Sequence, residues 1–498
     1  MMNDVHLDGP LTWPQIAAVA RGARLVLSPA ARRRIDAARA IVDSLVARGI
    51  RGYGINTGVG ALCDVVVDRE KQRALSRNIL MSHACGVGEP LGREEVRAIL
   101  AAQINIYALG ASGLRLELVE ALGALLERDC LPVVPARGSV GYLTHSAAIG
   151  LVLIGAGAAL YRGERHSGRA ALAAIGLAPF ELGAKEGLSL VNGTPCATGL
   201  GCLALARLSA LADWADAAAA MTCENLGSQA DLFAEPALAL RRSPGLQEVG
   251  AALRAYLAGS ALLARSAGTR TQDPLSLRAV PQIHGAVRDA LAQAGEVLDR
   301  ELASVSDNPA VAGTPEAPQV HSQAHAVAAA VGVAMDGLGV AAAALAAISE
   351  RRTDRLVNPL VSGLPAFLAA EGGVCSGYMI AQYTAASLVA ENRRLAAPAS
   401  LDGGITSALQ EDILVHATPA SLKALAILDN LETILAIELL AAAQAYELQP
   451  GGLSVAPRLR ALHARIRAQV PPYADDRPMG DDIAAVVRLI RAGGLGAA

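Results

Sequence analysis

Residues 326–348 run Ala326-Val-Ala-Ala-Ala-Val-Gly-Val-Ala-Met-Asp-Gly-Leu-Gly-Val-Ala-Ala-Ala-Ala-Leu-Ala-Ala-Ile348, with one charged side chain, Asp336, near the middle. The stretch is long enough to cross a bilayer. However, it is built mainly of weakly apolar Ala and Gly, and a carboxylate at mid-membrane depth is costly. It reads instead as a central helix of a tight bundle, where small side chains let neighbouring helices approach closely. The flanking sequence agrees. Hydrophobic residues make up 53% of the chain but aromatics only 3%, so the core is aliphatic and rich in the strongest helix former.

Apolar residues three and four apart, with Arg and Asp between them, mark a helix over 29–48. Similar patterns predict a pair of helices in 94–128, broken near Gly110–Gly113. Further helices are expected over 143–160, 197–226, 246–267, 281–304, 323–352, 378–395, 419–446 and 480–492. Residues 51–60 and 132–141 are loops by their Gly and Pro content. The expected fold is all-α: a long-helix central bundle over 206–498, with a smaller, mixed and loop-rich helical region over 1–205. The special loops fall between long helices, where a bundle presents a site at its helix ends.

A net charge of −3 gives no reason to expect nucleic acid or an anionic membrane as partner. Seven scattered cysteines without CxxC spacing point to reduced thiols, and the N-terminus has no signal-peptide pattern, so a cytoplasmic protein is expected. No P-loop, GxGxxG, HExxH or GxSxG motif occurs. His321 and His325 are four apart but have no third ligand nearby, so no metal is expected.

Against these negatives stands an ordered set of short motifs. Tyr53-Gly-Ile-Asn-Thr-Gly58, Ser82-His83-Ala84-Cys85-Gly86, Gly138-Ser-Val-Gly141 and Asn192-Gly-Thr194 are followed by Thr271-Gln-Asp-Pro-Leu-Ser-Leu-Arg278, Ser306-Asp-Asn-Pro309, Ser349-Glu-Arg-Arg352 and Gln410-Glu-Asp412. Singly each is a turn, a cap or an ion pair. In this order they resemble the aromatic amino acid lyases, and most of all the histidine ammonia-lyases. The resemblance implies an ammonia-lyase-like helical fold and a homotetramer whose sites combine loops from several subunits. It also implies removal of a β-proton and an α-amine.

Carried over residue by residue, the resemblance makes Tyr53 the catalytic base. A phenol needs help from its neighbours to serve as a base near neutral pH. Arg278 becomes the bidentate clamp on the substrate carboxylate, with Asn192 assisting. His83 belongs to the imidazole side of the site, and Glu411 lies near the substrate nitrogen. Gln272 and Asn308, inside two of the motifs, join the substrate-binding set.

One departure shapes the expected chemistry. In the ammonia-lyases of this family the glycine loop continues Ala-Ser-Gly-Asp-Leu, and the Ala-Ser-Gly cyclises into an electrophilic methylidene-imidazolone. Here Gly141 runs straight into Tyr142-Leu-Thr-His. Other positions that usually surround the electrophile have changed with it, to Leu275, Pro195 and Ala324. A substrate nitrogen that already bears three methyls cannot add to the electrophile and leaves as a neutral tertiary amine without it. The sequence therefore resembles the ergothionases, which lack the group. It leads to the expectation of a cofactor-free lyase that releases trimethylamine from the betaine ergothioneine and leaves thiourocanate, with Tyr142 and Tyr378 as contacts for the trimethylammonium. Alternatives are another aryl betaine such as hercynine, or a non-catalytic oligomeric homologue.

Overall fold

The computed structural model describes residues 4–401, 403–451, 454–493 and 495. The chain folds mainly as helices and divides into two compact units. One comprises residues 1–206, 294–336 and 398–422; the other comprises 207–293, 337–397 and 423–498. The first break lies between residues 206 and 207, and two later segments of the chain also belong to the first unit.

In the first unit, helix Pro29–Ala47 starts at Ser28, whose hydroxyl accepts from the Ala31 N–H at 3.1 Å, with Pro29 in the first turn. Its buried stripe of Ala38, Ile41, Val42 and Leu45 packs with Ile55 and Val311. Each of the Ile, Val and Leu side chains contributes roughly 1.5–3 kcal/mol of burial, and the cluster includes Ile55 of the loop that carries Tyr53. Helix Arg93–Ala108 is buried over its length from Val96 onward. Two of its buried polar residues tie it to neighbouring segments: Asn105 accepts from Leu11 N–H and donates to the Leu302 carbonyl, and Arg97 donates to Val19, Ala20 and Leu126 carbonyls.

Four small sheets lie in this unit: a parallel pair, Val5–Leu7 with Leu25–Leu27, and three antiparallel arrangements. The helix expected over 143–160 is Thr144–Leu153; Gly155 and Gly157, both at positive φ, end it, and Ala158–Tyr161 turns back against Glu164–Ser167. The expected loop 132–141 contains a strand, Pro135–Arg137, paired with Val87–Pro90.

Among its described residues the second unit contains helices and no β-strand. The helix expected over 246–267 is two, Pro244–Leu257 and Ala261–Ser266. Gly259 at φ 78° breaks it, and the Ser260 hydroxyl caps the second piece. A further helix, Pro457–Arg467, lies outside the helices expected from the sequence. At the centre of this unit Arg352 donates to both oxygens of Glu438 at 2.6 and 2.8 Å, and Ser349 and Thr222 also donate to that carboxylate. A charge pair with both side chains fully buried survives only with such complete hydrogen bonding.

From Ala329 onward the Ala-rich stretch lies in helix Ala329–Val357. Asp336 accepts from Ala399 and Ser400 N–H groups at 3.1 and 2.8 Å, so its charge serves a loop as a backbone anchor. The six residues before Ala329, expected to be helical, include a turn in which Val327 N–H donates to the Ala324 carbonyl at 3.0 Å, and four of them help to wall a cavity.

Candidate active site

The first unit encloses a cavity of about 700 Å³ whose lining includes Tyr53, His83, Tyr142, Asn192, Asn308 and Glu411. Six of the nine residues singled out in the sequence therefore converge. The other three do not. Gln272 and Arg278 belong to the second unit and are not among the lining residues. Tyr378, expected as a trimethylammonium contact, is also in that unit. It is 1% exposed, with its ring 5.4 Å from that of Tyr473, and it is core packing with no face open to a ligand.

Tyr53 is presented by a tightly knotted loop. Gly52 N–H donates to the Asn56 side chain at 2.9 Å, Gly54 N–H to Thr57 at 3.1 Å, and the Asn56 amide to the Ile50 carbonyl at 3.0 Å. Gly54 sits at φ 59°, and a Cβ there would strike Leu188, so this position requires glycine. The Tyr53 hydroxyl accepts the Gly60 N–H at 2.8 Å. Burial pushes the Tyr53 phenol up from its usual value and nearby Glu411 adds to that, while the Gly60 N–H, which stabilises phenolate, pulls the other way.

Glu411 sits in a short bridge with Thr406, whose N–H donates to the Glu411 carbonyl at 2.9 Å. The Tyr142 hydroxyl donates to its carboxylate at 3.2 Å. Burial, with Glu411 next, holds the Tyr142 phenol well above its ordinary range, firmly protonated. The two phenols are thus unlike: one accepts an N–H that favours its anion, and the other donates to an anion. Of the two, Tyr53 is the one fitted to act as base.

In the same lining, the Asn192 amide donates to the Asn308 carbonyl at 2.5 Å, and the Asn308 side chain accepts from Gln323 N–H at 2.7 Å. The Asn308–Pro309 peptide is cis. Behind this wall the fully buried Lys185 donates to Asp307, Ser189 and the Ser112 carbonyl at 2.8–2.9 Å. His83 ends helix Gln72–His83, with Nδ1 3.0 Å from the Ser82 hydroxyl; burial lowers its pKa, favouring the neutral ring. Lys185, Cys63 and Gln323 were not singled out by sequence. Only Lys185 left a trace there, as one of three lysines in an Arg-rich chain.

The electrophile implied by the family resemblance does not fit the turn that would have to form it. Residues 138–142 hold no Ala-Ser-Gly. The one serine, Ser139, uses its hydroxyl inside the turn, accepting from Gly141 N–H and donating to the Tyr142 carbonyl at 3.1 and 3.0 Å. Gly141 at φ 138° lies against Val415, and its carbonyl accepts from Thr418. His321 and His325 are exposed, and no group of three or more potential metal ligands occurs among the described residues.

The model of the aromatic amino acid lyases matches residues 11–468. The chain belongs to that family. Histidine ammonia-lyase of Symbiobacterium thermophilum is 47% identical over 501 residues, covering 100% of this chain and 98% of its own, and that of Anaeromyxobacter dehalogenans is 46% identical over 509, covering 99% and 100%. Among solved structures, histidine ammonia-lyase of Trypanosoma cruzi matches with a TM-score of 0.91 at 35% identity, covering 99% of this chain and 94% of that one. Ergothionase of Treponema denticola matches with 0.92 at 28% identity, covering 99% and 100%.

These relatives correct the expected substrate. Full-length relatives at 41–47% identity carry the name histidine ammonia-lyase, which points away from ergothioneine, trimethylamine and thiourocanate. An ordinary α-ammonium, like a trimethylammonium, already departs as a neutral amine, so a missing electrophile does not single out a betaine. The acceptor oxygens of Glu411 also favour a nitrogen with N–H bonds to donate, and a trimethylammonium has none. The family, the helical ammonia-lyase fold and the carbon–nitrogen lyase class stand.

Proposed function

We propose that this lyase deaminates histidine or a close histidine analogue, with Tyr53 as the β-proton base. The observation that carries the reading is the placement of the Tyr53 hydroxyl, steadied by the Gly60 N–H, in the same cavity as the Glu411 carboxylate. The substrate ring lies toward His83, its carboxylate toward the Asn192 amide, and its amino group toward Glu411. Tyr53 as phenolate takes the β-proton, the C–H electrons become the new double bond, and the C–N pair leaves with nitrogen as neutral ammonia. The imidazole ring stabilises developing charge on the β-carbon by conjugation. No step passes through an electrophile on the 138–142 turn.

The name shared by the full-length relatives supports histidine as substrate. Arg278 as carboxylate clamp and a homotetrameric assembly belong to the same proposal. Truncating Arg278 to Met should raise KM for histidine with a smaller effect on kcat, the signature of lost binding. Ammonia and imidazole acrylate are measured after adding histidine to wild type and to Tyr53→Phe. Both products are expected from wild type, with turnover reduced about 10²–10⁴-fold in the variant. Undiminished turnover by Tyr53→Phe would remove the base from the scheme.

A further inference from the structure

Tyr142 stands at the point where the chain departs from its family's glycine loop, and its side chain turns into the cavity to meet Glu411. Among the described residues the Glu411 side chain has this one hydrogen-bond partner, and no Lys, Arg or His forms an ion pair with it. A half-buried carboxylate facing a cavity with two phenols and no cation is an uncompensated charge. Three features therefore lie together: an anion with free lone pairs, a hydroxyl that holds one of its oxygens in place, and an aromatic ring beside it. That is the chemistry of a seat for a small cation.

We propose that Tyr142 and Glu411 together seat the substrate's amino group as an ammonium ion, Tyr142 acting as the positioning residue that fixes the carboxylate. This rests on the elimination reading above and deepens it. The leaving group is bound in the form that departs as neutral ammonia, so the site needs neither a lone pair on nitrogen nor an electrophile to receive it. The bound cation also offsets the Glu411 charge that disfavours the Tyr53 phenolate. Arrival of substrate thus helps to generate the base. In the balance of the step, Tyr53 gains the β-proton, the C–N bond breaks toward nitrogen, and nothing is oxidised or reduced.

Tyr142→Phe keeps the ring and removes only the hydroxyl, and Glu411→Gln keeps shape and removes the charge. Binding of histidine and of imidazole propionate, which lacks the amine, is measured by calorimetry on the full-length proteins. Each variant should weaken histidine about tenfold or more while leaving imidazole propionate within about twofold. Equal losses for both ligands, or no loss for histidine, would overturn the seat. Ammonia release is followed in parallel. If the amine-dependent preference is present but no ammonia forms, the deamination reading fails and the seat stands. If ammonia forms but Tyr142→Phe does not discriminate between the ligands, the seat fails and the reaction stands. If neither ligand binds wild type, both fail.

Discussion

At the scale of single residues, the site separates two tyrosines by what they are bonded to. Tyr53 accepts a backbone N–H and Tyr142 donates to a carboxylate. Burial, and secondarily the charge of Glu411, raises the Tyr53 phenol. In the free protein its anion therefore forms only at a pH above the usual tyrosine value of about 10. The difference between the phenolate titrations of wild type and Tyr53→Phe should show an ionisation above that value. Removing the Glu411 charge removes a repulsion that opposes the anion, so the same difference measured in a Glu411→Gln background should move to lower pH. An ionisation at or below 10 in wild type would contradict the assigned environment. Gly141 gives a stability test. A Cβ there would sit 2.5 Å from the Val415 carbonyl at a φ of 138°, so Gly141→Ala should cost about 1–3 kcal/mol, seen as a lower melting temperature.

At the scale of elements, the wall carrying Asn192 and Asn308 depends on a buried ion pair that touches no substrate. Lys185 caps helix Glu186–Val191 from the left-handed region and holds Asp307 at 2.9 Å. Lys185→Met leaves that carboxylate buried without a partner and should destabilise the protein by about 3–5 kcal/mol. Adding Asp307→Asn should recover much of the loss, and chemical denaturation of the single and double variants measures both. Additive losses would mean that the pair is not coupled. Long helices were legible in the sequence because their stripes follow from burial alone. Helices 29–47 and 379–395, for example, fall within a residue or two of expectation. The misread elements are those decided by backbone sterics. Gly155, Gly157 and Gly259 end helices that periodicity would continue, and residues 323–328 give up helix to wall the cavity. Tyr378 was misread because an aromatic near a motif gives no sign of which way it faces, and here it faces the core.

At the scale of the whole molecule, motif order over the chain showed the family, but it could not choose the amine. The missing Ala-Ser-Gly does not single out a quaternary nitrogen, because the same absence is compatible with any ammonium that leaves as a neutral amine. The relatives named histidine ammonia-lyase run the full length of the chain, and they are the ground on which histidine is proposed as the substrate of the Tyr53, Tyr142 and Glu411 arrangement. The proposed assembly is tested by light scattering, with a mass four times the 50.9 kDa chain expected and a monomer contradicting it. The central claim is that this site expels ammonia from histidine with side chains alone. Ammonia release from histidine is therefore measured before and after treatment of the protein with borohydride, which adds hydride to a methylidene electrophile. The account predicts release at an unchanged rate; no release at all, or release abolished by the reagent, would contradict it.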